Sequence, residues 1–237
     1  MLFSLELFLI ICFSAFIQSA MGFGFILFSL TIGSLFFSVK EFLPFCLIIG
    51  IFIDFSLMVF NYKHRPNRHF DFIIFGLLGT PIGVYFYFLM EPAIFEPLLG
   101  VLVIISVILL LYDKVSIPTN TMTRYFYGFL TGALAGAFGI SGPFVSLIFL
   151  SDSKLSRKNM IFLMNTFFFG IAFISLIFFY QRGIFTGVNF SNFSLMFGSA
   201  IIGYLLGTVF GNYTTSKRHQ RFLLLLVLIS AMFLIIP

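Results

Sequence analysis

The chain has 237 residues, of which 60% are hydrophobic and 9% charged, with a formal net charge of +5. Globular proteins average about 25% charged residues, so no soluble domain fits. Several apolar runs exceed the ~18 residues that mark a bilayer span, and the chain reads as an all-α polytopic integral membrane protein.

Residues 2–37 predict a helical hairpin bent near Gly22-Phe23-Gly24. Its start carries Glu6 and no basic residue before the apolar run, unlike a cleaved signal peptide. Residues 42–61 predict a span holding Pro44 and a lone acid, Asp54. A basic loop follows from Lys63 to His69, then a span over 70–90 with Gly76, Gly79, Pro81 and Gly83. Glu91, Pro92, Glu96 and Pro97 predict an acidic turn before a span over 98–112, and residues 113–124 a linking loop. Residues 127–150 predict a second broken hairpin, since Gly139, Ser141, Gly142 and Pro143 interrupt it. Gly costs a helix interior about 1 kcal/mol and Pro about 3, but Pro suits the first turn of a new helix. One helix should end near Phe138 and another start near Pro143. Spans over 160–180, 193–211 and 222–236 complete the chain, separated by a polar loop at 181–192 and a basic one at Lys217–Arg221.

The second half repeats the first. Gly22 matches Gly139 and Arg65 matches Arg182, both 117 positions apart. Gly79 matches Gly203, Gly83 matches Gly207 and Ile105-Ser106 matches Ile229-Ser230, all 124 apart. The shift of seven fits an insertion at 181–192. The expected organisation is a first membrane repeat over 1–112, a linker over 113–126 and a second repeat over 127–237.

If each broken segment returns to its own side, each half adds three full spans, and the halves lie inverted. Eleven Lys and Arg then share one side, against Lys40 and Arg182 on the other. The basic side is cytoplasmic by the positive-inside rule, so both termini lie outside, in the inner (plasma) membrane of the cell. Inverted repeats with broken helices at midplane are a recurring plan of secondary transporters. The architecture is thus two inverted repeats, each a Gly-broken hairpin plus three transmembrane helices, about 8–10 membrane segments in all.

The two breaks are the candidate anion site, because a half-helix start presents bare N–H groups and a positive dipole end. Gly22, Phe23, Gly24, Gly139, Ser141, Gly142 and Pro143 would supply it, with Gln18, Ser19 and Asn165 adding side-chain bonds. The polar side chains have a second reading, as bonds that hold helices together. Asp54 reads either as a proton carrier or as a polar group with a helix partner or near the wet interface. Gly128, Gly132 and Gly136, spaced four apart, read as a close-packing stripe. The three histidines sit in basic loops without ligand spacing, so no metal site or cofactor is indicated. No nucleophile–base pair lies inside the membrane, and an enzyme has nothing to stand on.

The segments Gln18-Ser19-Ala20-Met21-Gly22-Phe23-Gly24 and Gly136-Ala137-Phe138-Gly139-Ile140-Ser141-Gly142-Pro143 resemble the glycine-rich motifs near the start of each half in the sulfite exporter TauE/SafE family, also called the toluene sulfonate uptake permease family. The resemblance covers nearly the whole chain. It implies a transporter, or exporter, of small sulfur-containing anions such as sulfite or organosulfonates, coupled to protons; the inverted-repeat plan adds alternating access by rocking one repeat against the other. An uncoupled anion or small-solute channel, and a structural membrane subunit, are the alternatives. Expected partners are the anion, protons and the lipid bilayer, and no nucleic acid. The oligomeric state stays open, a homodimer included.

Overall fold

The computed structural model describes residues 5–111, 120–185 and 190–210, together with 228, 231, 232, 234 and 235. Among these residues all regular structure is helical. The helices are α1 (Leu5–Met21), α2 (Phe25–Gly33), α3 (Val39–Phe60), α4 (Phe70–Leu89), α5 (Pro92–Leu111), α6 (Thr121–Phe138), α7 (Gly142–Leu150), α8 (Arg157–Gln181) and α9 (Phe190–Phe210). A turn of 3₁₀ helix follows α3 at Tyr62–His64. Helices α3, α4, α5 and α8 are each long and apolar enough to cross a bilayer, and the chain is a multi-pass membrane protein.

Both hairpins break as the glycines and proline predict. Gly22 and Gly139 end α1 and α6 with positive φ, 90° and 72°, a conformation that costs glycine nothing. The Gly139 N–H bonds back to the Ala135 carbonyl, a left-handed helix C-cap. Other boundaries follow their caps. Asn120 accepts from the Thr123 N–H at the start of α6, and Ser156 with Asn159 forms a capping box on α8.

Two boundaries differ most from expectation. Residues Glu91–Pro97 were expected as a turn, yet α5 begins at Pro92, because proline at the first position loses no helical bond. Pro97 lies inside that helix. The linker expected over 113–126 gives way to α6 at Thr121, so Arg124 is helical and forms an ion pair with Asp71 at 2.6 Å. The basic loop at 217–221 lies outside the described residues, as does most of the last expected span.

The closest packing exchanges helices between the halves. Helix α6 lies along α4, and α1 lies along α9. A Cβ on Gly79 would collide with the Phe129 carbonyl, and one on Gly83 with that of Ala133. A Cβ on Gly203 would collide with the Cys12 carbonyl, and one on Gly207 with that of Phe16. Shifting 79 and 83 by 124 and 129 and 133 by 117 turns the first pair of contacts into the second. The offsets read from the sequence are therefore obeyed by tertiary contacts between different helices. From the other face, Gly128, Gly132 and Gly136 meet the carbonyls of Phe72, Gly76 and Thr80. This is the small-residue packing that brings membrane helices together without a hydrophobic driving force. Helices α3 and α8, each the first long span after its hairpin, pack on one another.

The charged groups sort to two ends. At one, Lys40 donates to the Met90 carbonyl, and Arg182 lies 5.1 Å from the Phe88 ring centroid. At the other, Arg124 meets Asp71, Arg68 and His69 meet Asp152, and Arg157 donates to the Ala20 carbonyl at 2.7 Å. The described basic residues fall as the loop count divides them.

Candidate functional site

The two breaks meet. The Phe23 ring lies against Gly142, so that a Cβ there would stand 2.8 Å from Phe23 Cδ2. Around this contact the starts of α2 and α7 border a cavity of about 40 Å³. Gln18, Gly24, Phe25, Asp54, Gly139, Ser141, Gly142 and Pro143 line it, with Ala135 and Ile171 among the apolar walls.

A polar network runs beside the cavity through three helices. Gln18 Nε2 donates to Asp54 Oδ1 at 2.7 Å and to Asn165 Oδ1 at 3.1 Å. Asn165 Nδ2 donates to the Gly22 carbonyl at 3.0 Å and to Ile161 at 2.7 Å. Gln18 Oε1 accepts from the Phe25 N–H at 2.9 Å, capping the start of α2. Gln18, Asp54 and Asn165 are 3%, 4% and 0% exposed, and buried polar groups at that depth need such partners.

The start of α7 is different. Its first backbone bond runs from the Val145 N–H to the Ser141 carbonyl, which leaves the N–H groups of Gly142 and Phe144 ahead of the helical ladder. Pro143 has no N–H to offer. Ser141 occupies the N-cap but its hydroxyl makes no capping bond, although the residue is buried and lines the cavity. This arrangement presents donors and a dipole end to whatever enters.

Of the residues singled out from sequence, Gln18, Gly24, Gly139, Ser141, Gly142, Pro143 and Asp54 come together around the cavity. Ser19 does not. Its side chain faces Gly207 of α9, while its hydroxyl donates to the Ala15 and Phe16 carbonyls of its own helix. Gly22 backs onto Ile161 and Met164, Phe23 plugs the contact between the breaks, and Asn165 stands behind Gln18. Reading the sequence overlooked the Phe25 N–H as the group that holds Gln18, and Arg157 as the side chain capping the end of α1. Arg157 was visible only as one charge in a basic loop.

Two glycine-broken hairpins, packed into a bundle of apolar spans, make this a multi-pass membrane protein with a cavity where the breaks meet. The chain belongs to the sulfite exporter TauE/SafE family, whose sequence profile matches residues 7–234. No curated protein and no solved structure matches the chain significantly.

Proposed function

We propose that this protein is a secondary transporter of small sulfur-containing anions, sulfite or organosulfonates, that binds its substrate in the cavity between the two breaks. The single observation that carries the reading is the uncapped start of α7, with Ser141 buried beside it and its hydroxyl uncommitted. Family membership supports the choice of sulfur anions. Free N–H groups and the helix dipole hold the anion's oxygens, and donor number and spacing select an oxyanion over chloride. Asp54 carries the coupled proton, since an ionisable group inside a span is functional by default. Access alternates between the two faces. The two halves lie inverted in the plasma membrane, with both termini on the non-cytoplasmic side; the sorting of basic residues supports this orientation.

The test is thermal stabilisation of the purified protein by sulfite, sulfate, thiosulfate, sulfoacetate, taurine, acetate and chloride. A ligand that binds the native state at a hundred times its Kd adds about 2.7 kcal/mol of apparent stability. A shift confined to sulfur oxyanions and sulfonates is expected. A flat response across all seven would overturn the reading.

A further inference from the structure

The two breaks match in backbone but not in chemistry. At the 117-residue offset Gln18 corresponds to Ala135, Asp54 to Ile171 and Asn165 to Ile48. Ala135 and Ile171 line the same cavity as Gln18 and Asp54, so the polar pair that the first half contributes has an apolar pair as its counterpart from the second. Phe25, whose N–H bonds to Gln18 Oε1, corresponds to Gly142. Residue 135, a methyl group, offers the Gly142 N–H no such acceptor. The Ile26 and Leu27 N–H groups also stand ahead of the ladder at the start of α2, but an anion there would meet the Gln18 carbonyl oxygen and the Asp54 carboxylate, both repulsive to negative charge. At the start of α7 it would meet the Gly142 N–H and the Ser141 hydroxyl, with no acceptor side chain between them and Ala135 alongside.

Resting on the anion-transporter reading, we propose that the two breaks divide the work: the cavity seats one anion, on the start of α7, while the first break serves only the proton. Gln18 is the positioning residue that keeps them apart. Its carbonyl closes the start of α2 to anions, and its amide holds Asp54 at the cavity wall. Asp54 is the one titratable side chain in that lining. From the helices packed on α3 it meets the uncharged Gln18 of α1 and Ile171 of α8. Helix α9 carries no charged residue, and Glu96 of α5 is engaged with the Val39 N–H at the far end of the span.

The experiment pairs two measurements on the full-length protein. Sulfite affinity is read by thermal shift in detergent, and sulfite flux by proteoliposomes with and without an imposed pH gradient. Asp54→Asn, which keeps an acceptor for Gln18, and the double variant Q18A/D54I, which installs the second half's residues in the first, should bind sulfite within about threefold of wild type. Their flux should ignore the pH gradient. Ser141→Ala should weaken sulfite binding about tenfold or more, the effect of losing one charge-assisted hydrogen bond, and leave its flux responsive to the pH gradient. Gradient-dependent flux in both Asp54 variants, or unchanged affinity in Ser141→Ala, overturns the division of labour. Failure of sulfite to stabilise the wild-type protein overturns the transporter reading as well, so the two failures are told apart.

Discussion

Asn165 of α8 donates to the carbonyl of Gly22 at 3.0 Å, tying the first break to a helix 143 residues away in sequence. Asn165→Ala removes that bond together with one of the two acceptors of Gln18 Nε2, leaving Asp54 as the other. Leaving such groups unpaired costs about 1–3 kcal/mol each, and the apparent Tm of the purified protein should fall by several degrees. Thr166→Ala, whose hydroxyl bonds only within its own helix, should change it far less. Equal shifts for the two would contradict a special tie at Gly22.

The glycine contacts between α4 and α6 make a second prediction. A Cβ on Gly132 would fall on the Gly76 carbonyl oxygen, so Gly132→Ala must separate two helix backbones. Overpacking of this kind costs about 1–3 kcal/mol. Gly198→Ala, with nothing within 4 Å of the added carbon, should be neutral or stabilising, by up to about 1 kcal/mol. Unfolding of the two variants in the same detergent checks the contrast.

Asp152 links the end of α7 to the start of α4. The hydrogen bond from His69, 2.9 Å away, together with the Lys154 N–H and Arg68, holds its carboxyl down at about 2 against an ordinary 3.8. A depressed carboxylate stabilises the fold fully above its unfolded value, and that contribution fades as pH falls through the folded value. The wild-type protein should therefore lose this part of its stability between about pH 4 and about pH 2. Asp152→Asn should lack that decline, which thermal unfolding across the same pH range measures.

The inverted orientation is tested by labelling single cysteines in a background with Cys12 and Cys46 replaced by alanine. Lys154→Cys should react with a membrane-impermeant maleimide only after cells are opened, and Arg182→Cys in intact cells. The reverse pattern would place the basic end outside and sink the assigned topology.

What the sequence revealed and what it hid follow from the range of the interactions. The breaks were legible because Gly139, Gly142 and Pro143 carry their conformational costs locally, and the helix ends fall where those costs predict. The stripe of Gly128, Gly132 and Gly136 was legible because its spacing alone marks one helix face. Gln18 was not legible as a cap for α2 and a donor to Asp54, because that role depends on a turn seven residues on and a helix 36 residues away. Ser19 looked equivalent to Gln18 in sequence. On a helix, adjacent residues point about 100° apart, and that rotation sends Ser19 to α9 instead of the cavity. The start of α5 at Pro92 was hidden by two prolines and two acids that resemble a turn, although proline is well suited to an opening helical turn.

The exchange of helices between the halves bears on how such a molecule can move. Helix α1 belongs to the first half of the chain yet meets α9 at contacts too tight for a side chain, and α6 is locked to α4 in the same way. Pivoting one half bodily against the other would prise apart both of these seams, where backbones touch and no side chain can yield. The natural rigid bodies therefore cut across the duplication: each is a clasp of two helices, one drawn from each half. The alternating access proposed above would then fall to the short arms α2 and α7 and to sliding between α3 and α8.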